Sequence, residues 1–282
     1  MTMRAKVALA ATGLLVAILA FLALRAHLDE RAYREGLRLE QTGERESALR
    51  IFTELGDHAD SAQRARSLVA ADPALPFKGA TKGEIVDFGS FEQDGDTTNG
   101  VEPIRWIVLD RIEGRLLLLS LDCLDARAHH RTPFEPVTWE TSDVRAWMNT
   151  EFLRSAFTEA ERGLIPLVEV DNANQSKTGT AGGHTTMDHV FALSETEASI
   201  YIANAVEQDL IGAAAASFAV RSTLPGDQDG HVDWWLRSPG TYDFAFQYVD
   251  RQGQPLVSGG NADLVHGIRP ALWLDTTAGA AK

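Results

Sequence analysis

Residues 7–24 carry no charge, and this run constrains the chain more than any other feature. Its 18 residues, wound as an α-helix, span about 27 Å, close to the ~30 Å of a bilayer's hydrocarbon core. Arg4 and Lys6 precede the run and Arg25 follows it. A cleaved signal peptide has a shorter apolar stretch and ends in small residues, and Leu24-Arg25-Ala26 is a poor cleavage site. A buried core helix is the third reading. The expected outcome is an uncleaved transmembrane helix, with residues 1–27 anchoring a single-pass protein in the inner (cytoplasmic) membrane through residues 7–24. Orientation is contested. Arg25, Arg31, Arg34 and Arg38 outnumber Arg4 and Lys6, and a simple positive-inside count places the rest of the chain in the cytoplasm. A short basic head before an apolar run is instead the pattern of export, and an extracytoplasmic C-terminal domain is expected on that ground.

Charge divides the chain. Residues 1–76 carry ten Lys/Arg and ten Asp/Glu; residues 77–282 carry 16 and 30, so the whole net charge of −14 lies there. A surface this acidic repels phosphate backbones and anionic lipids, so no nucleic-acid partner is expected. Cys123 is the single cysteine, so no intramolecular disulfide forms. It reads as a small buried hydrophobe at a strand end, or else as a reactive thiol.

Residues 28–76 have the periodicity of a helical linker. Leu28, Tyr33, Leu37 and Leu39 mark one helix, Gly43 breaks it, and Ala48, Leu49, Phe52 and Leu55 mark a second. Gly56-Asp57 is a turn, and Asp60-Ser61 opens another helix through Leu68 and Val69. Tyr33, Gly36-Leu37, Gly43, Ala48-Leu49 and Phe52 together resemble one tetratricopeptide-type hairpin. Only one copy is present, and such repeats bury a continuous core only in arrays, so a spacer is expected before a peptide groove. Pro73, Pro76 and Gly79 set a boundary near 72–80.

Residues 77–282 predict an α+β domain, a mixed or antiparallel sheet with flanking helices. Strands are expected at 85–88, 104–109 and 116–119, with a polar turn at 94–100 and a tight turn at Glu113-Gly114. Ser142 caps a helix with Val144, Trp147, Met148 and Phe152 on one face; Thr158 with Glu161 forms a capping box, and so does Ser194 with Glu197, whose helix is expected to run through Ile200 and Val206. Residues 171–186 read as a long loop. Strands return at 190–193, 234–237, 244–249 and 268–274.

Gly89-Ser90-Phe91, Pro103-Ile104-Arg105-Trp106, Leu121-Asp122-Cys123-Leu124-Asp125-Ala126-Arg127, Thr138-Trp139-Glu140, Val144-Arg145-Ala146-Trp147-Met148-Asn149, Val190-Phe191-Ala192-Leu193-Ser194, Trp234-Trp235-Leu236-Arg237-Ser238-Pro239 and Gly267-Ile268-Arg269-Pro270-Ala271-Leu272-Trp273-Leu274 occur in that order. Together they resemble the bacterial domain-of-unknown-function family 6273 over about 83–275. The resemblance implies a domain found behind membrane segments or beside helical repeats, and it brings no reaction with it. His129-His130 depart from the family pattern, which has an aromatic and a polar residue there. A weaker likeness joins the Trp-Leu-Arg-Ser strand and the Gly-x-Arg-Pro strand to C-type-lectin-like domains, without the calcium-dependent sugar-binding pattern.

The candidate site residues are Trp235, Arg237 and Tyr242. Alternation puts Trp234 and Trp235 on opposite faces of a strand, one in the core and one available, beside Arg237 and Tyr242, to stack on a sugar or peptide. His184, Asp188 and His189 are metal-capable but lack a further ligand placed by spacing. Adjacent His129 and His130 diverge on a strand. Asp227, Asp229 and Asp233 form an acidic turn without the glutamate of a calcium loop. Arg269 is expected to pair with a buried carboxylate. No nucleophile, phosphate-loop or zinc-protease motif occurs, so no catalytic residue, metal or cofactor is expected. The expected function is a membrane-tethered, non-enzymatic module that binds a glycan or protein ligand. The alternatives are an enzyme on a C-type-lectin-like scaffold, using the loops 171–186 and 225–233, and an envelope assembly scaffold that works through the hairpin.

Overall fold

The computed structural model describes residues 3–202, 214–215, 220, 223–224, 226 and 230–278, with the side chains of 3–13, 15–16 and 214–215 excepted. The chain divides into two compact units, Met1–Gly79 and Ala80–Lys282.

The first unit is helical: α1 Met3–Thr42, α2 Arg45–Leu55 and α3 Ser61–Ala71. Leu39, Ala48, Leu49, Phe52, Leu68 and Leu75 form its core, with Tyr33 and Leu37 packed against it. Gly36 allows α1 and α2 to close, because a Cβ there would stand 2.8 Å from the Phe52 ring. Arg64 ties α3 to α1 through Glu40 at 2.7 Å. Part of the run 7–24 has side chains outside the described residues. Those described, among them Leu14, Ile18, Leu19, Phe21, Leu22 and Leu24, are exposed, as is Leu28. Among the described residues no helix is long and apolar enough to cross a membrane.

The second unit is α+β. Strands β1 Ile85–Phe91, β2 Glu102–Ile112 and β3 Arg115–Ser120 form a meander. Glu113 and Gly114 between β2 and β3 both have positive φ, as a two-residue turn needs to match the strand twist. After β4 Asp125–Ala128, Ser142 accepts from Arg145 N and starts α4 Asp143–Trp147. The helix continues through a π-turn, Met148–Phe152, into α5 Leu153–Ala156. Val144, Trp147, Met148 and Phe152 are buried, the face that periodicity marks. The Thr158–Glu161 box opens α6 Glu159–Arg162. Then come β5 Val168–Val170, β6 Thr186–Asp188 and β7 Val190–Phe191. Ser194 N donates to Glu197 at 2.7 Å and Glu197 N returns a bond to Ser194 Oγ at 3.1 Å, opening α7 Glu195–Ile202. The expected continuation to Val206 lies outside the described residues. The remaining strands are β8 Ala214–Ala215, β9 His231–Val232, β10 Trp234–Pro239, β11 Ala245–Val249, β12 Pro255–Asn261, β13 Val265–Ile268 and β14 Ala271–Asp275.

Two five-stranded sheets carry the domain, in the orders β1-β2-β3-β14-β7 and β12-β11-β10-β13-β4. The first is antiparallel throughout. The second is mixed, because β10 and β13 run parallel. The single strand expected at 268–274 is therefore two strands in different sheets. The chain switches at Arg269-Pro270, where Pro270 offers no N–H to a ladder and its carbonyl accepts from Ser120 N at 2.9 Å. Arg269 is fully buried; burial lowers its pKa to about 10. Its expected carboxylate role is filled in part by backbone carbonyls, Ser120 O at 2.7 Å and Leu121 O at 3.0 Å, and its guanidinium lies 5.0 Å from the Trp234 ring centroid. Cys123 is completely buried, burial pushes its thiol up to about 12, and a Cβ on Gly267 would sit 2.6 Å from its sulfur. A thiol so enclosed packs and does not react.

Candidate functional site

Trp235 is 1% exposed, so the outward-facing indole expected from strand alternation is absent. Trp234 and Trp235 do face opposite ways, but both faces of β10 are covered. The Trp235 indole donates to Arg127 O at 3.0 Å and is bordered by the rings of His129, His266 and Tyr248. Arg237 is 5% exposed and works as an internal clamp. It donates to Ala192 O at 2.7 Å and to Asp171 O at 3.2 Å, and it pairs with Glu197 at the start of α7. These two residues hold the domain together instead of offering a surface.

Tyr242 is different: it is 61% exposed. Its ring lies parallel to Phe244, with centroids 5.3 Å apart and planes 4° apart. Phe134, 65% exposed, meets Phe244 edge-on at 5.3 Å. The three rings form a platform from two loops, 130–137 and 240–244. Backbone bonds fix both loops: Val137 N to Asp243 O at 2.8 Å, His130 N to Ala262 O at 2.9 Å, Ala262 N to Phe244 O at 2.8 Å, and Thr241 N to Ser258 O at 2.9 Å. Phe134 sits in a turn after Pro133 with φ +58°, a left-handed conformation disfavoured for a bulky residue. Residues 131–136 are all exposed, so this ring gains little from burial in return. Glu135 and Asp243 flank the rings as exposed carboxylates, with Arg131 on the same loop. His130 lies 3.4 Å from Asp143 and 3.6 Å from Glu135.

A family model described as Domain of unknown function (DUF6273) matches residues 113–276. The chain belongs to the DUF6273 family. No curated protein and no solved structure matches it. The DUF6273 match takes in both platform loops and the strands from β3 to β14, while β1 and β2 precede it.

Within the DUF6273 region, the sequence-predicted cluster of His184, Asp188 and His189 is not brought together. Asp188 is fully buried, with Arg145 Nε at 2.7 Å, Trp139 Nε1 at 2.9 Å and Thr186 Oγ1 at 2.7 Å donating to it. His184 pairs with Glu140 at 2.9 Å on the surface, which holds that carboxyl below its ordinary range, and His189 Nδ1 lies 2.9 Å from Ile165 O. Asp227 and Asp229 lie outside the described residues; Asp233 accepts from Arg251 N at 2.9 Å. His129 and His130 separate as expected, one into the core and one towards the platform loop.

Before the DUF6273 match, oxygens of Glu92, Asp94 and Glu102 lie within 4.8 Å of one another at the base of the polar turn 94–100. They accept backbone amides, Gly95 N to Glu92 at 2.7 Å and Gln93 N to Glu102 at 2.6 Å, and these bonds shape the turn. A separate open cleft of about 370 Å³ lies among Ile112, Arg115, Leu167, Glu169 and Trp273. Sequence reading named Tyr242 but missed Phe134 and Phe244. The available signal was a phenylalanine bracketed by Pro133 and Pro136, in a stretch with no strand or helix period.

Proposed function

We propose that this DUF6273 protein is a membrane-tethered, non-enzymatic binding module whose glycan or protein ligand stacks on Phe134, Phe244 and Tyr242. The observation that carries the reading is Phe134. A non-glycine residue in the left-handed region costs about 1–3 kcal/mol, and such strain concentrates at functional sites. Here it supports an exposed ring with no core to fill. Aromatic rings held rigidly at a surface are efficient anchors, because burying one on binding removes 150–250 Å² or so from water with little rotamer entropy to lose.

The tether reading rests on the uncharged run 7–24 inside one continuous helix, α1. Six large apolar side chains between Leu14 and Leu24 are exposed there, which is unfavourable in water and satisfied in hydrocarbon. The basic head before the run favours a single-pass inner-membrane protein with the domain on the extracytoplasmic side. The C-type-lectin-like reading of the fold rests on the strand Trp235-Leu236-Arg237-Ser238 and on Gly267-Ile268-Arg269-Pro270. Between Leu28 and Ile85 no large hydrophobic side chain is exposed among the described residues, so the hairpin presents little for a scaffold partner to grip.

The test is a glycan and peptide array probed with the full chain in detergent, beside Phe134→Ala and Tyr242→Ala. Binding by the parent that both variants lose supports the module. Binding that survives both substitutions, or no binding at all, overturns it. For the tether, the full chain should sediment with membranes and a chain lacking residues 1–27 should not; equal partition of the two defeats it.

A further inference from the structure

We infer that the ligand of the Phe134–Phe244–Tyr242 platform is a polypeptide segment rich in lysine or arginine; the inference rests on the binding-module reading above. Charge complementarity carries it. The face of an aromatic ring is electron-rich and attracts an ammonium or guanidinium group lying over it. Two exposed carboxylates are built into the same loops: Glu135 follows Phe134, and Asp243 stands between Tyr242 and Phe244. Asp143 lies across His130 from Glu135 and is half-exposed. Against these stands Arg131, whose own backbone N–H is held by Asp143 at 2.9 Å. The surrounding domain supplies a long-range negative field, since residues 77–282 hold the whole −14.

The same surroundings disfavour other occupants. A neutral sugar draws nothing from the negative field of the domain. A phospholipid headgroup or a phosphorylated peptide brings negative charge into a negative field. A small lone cation finds an open surface with no cage to enclose it. A polypeptide with several cationic side chains spreads its contacts over the three rings and both carboxylates, which an open platform requires for affinity.

The experiment titrates the full chain in dodecyl maltoside with a fluorescent lysine–glycine decapeptide, following anisotropy. A glutamate–glycine decapeptide and chitohexaose are the comparison probes. The expected result is binding of the lysine peptide that weakens about tenfold in the double variant Phe134→Ala/Tyr242→Ala. It should also weaken severalfold in Glu135→Gln/Asp243→Asn and fall with added salt, with no binding of the acidic peptide. Because the four side chains are exposed, melting curves of the variants should overlay the parent. Lysine-peptide binding that is unchanged in the ring variant reports bulk charge alone and overturns the inference. If chitohexaose binds through the rings and the lysine peptide does not, the cationic ligand is wrong while the platform stands. If no probe binds, the cationic inference fails, and the array then decides the fate of the platform separately.

Discussion

His129 lies flat on Phe246, with ring centroids 3.4 Å apart and planes 12° apart, at the centre of an aromatic box that also contains Trp139 and Trp235. The imidazole is fully buried and neither ring nitrogen makes a well-formed hydrogen bond. It therefore behaves as an aromatic filler. Burial pushes its pKa down to about 3, and burial against Trp235 and Tyr248 pushes His266 down to about 4.

These two rings make stability depend on pH. Unfolded, both titrate near 6.5; folded, both stay neutral to far lower pH. Their contribution is complete above pH 6.5. It is lost as pH falls towards 4, by up to about 1.4 kcal/mol per pH unit for each ring, because the unfolded chain takes up the protons. His129→Phe should flatten the dependence between pH 6.5 and 4 by one histidine's share and leave stability at pH 8 equal or higher. Urea unfolding at pH 8 and pH 5 measures both quantities. An unchanged slope in the variant means His129 is not the proton acceptor of the unfolded state.

Trp235 and Tyr242 should separate cleanly. Trp235→Ala empties a fully enclosed site and is expected to cost about 3–5 kcal/mol. Tyr242→Ala removes an exposed ring and should stay within about 0.5 kcal/mol. Chemical denaturation of the two variants side by side decides it. Similar losses in both would contradict the burial pattern.

Phe134→Gly should be neutral or raise stability by up to about 1 kcal/mol, since glycine adopts positive φ without strain. The same substitution should abolish ring-dependent binding. A stability gain coupled to lost function is the signature of strain kept for a ligand. A loss of more than about 2 kcal/mol would show instead that the ring is needed for folding.

Asp188→Asn keeps the shape of the side chain but removes the charge that Arg145 faces inside the domain. Breaking such a pair typically costs about 3 kcal/mol or more, and Trp139 Nε1 and Thr186 Oγ1 share the same carboxylate. The expected variant is destabilised by that order and unfolds at lower temperature by calorimetry. A change below about 1 kcal/mol would mean that Arg145, partly exposed, recovers its interaction from water.

Local chemistry was legible in the sequence. The caps at Ser142, Thr158 and Ser194 involve residues three apart, and each forms with the partner its spacing names. Features set by distant chain segments were not. Alternation along β10 gives opposite faces to Trp234 and Trp235, but it says nothing of His129, Tyr248 and His266 arriving to cover the second face. β12 was missed because Gly259-Gly260 lower strand preference, and pairing with β11 overrides that weakness. The apolar rhythm of 268–274 hid a change of sheet. The platform escaped because Phe134 and Phe244 lie far apart in the chain, and only tertiary hydrogen bonds bring their loops together.

The switch at Arg269-Pro270 has a consequence for the order of assembly. β14 separates β7 from β3 in one sheet, and β13 separates β4 from β10 in the other. Both keystones belong to one short stretch, late in the domain. As the chain emerges during synthesis, neither sheet can close until that stretch arrives, and then both close together. Earlier fragments hold only unjoined halves with open strand edges, so the domain ripens in one late step instead of growing sheet by sheet.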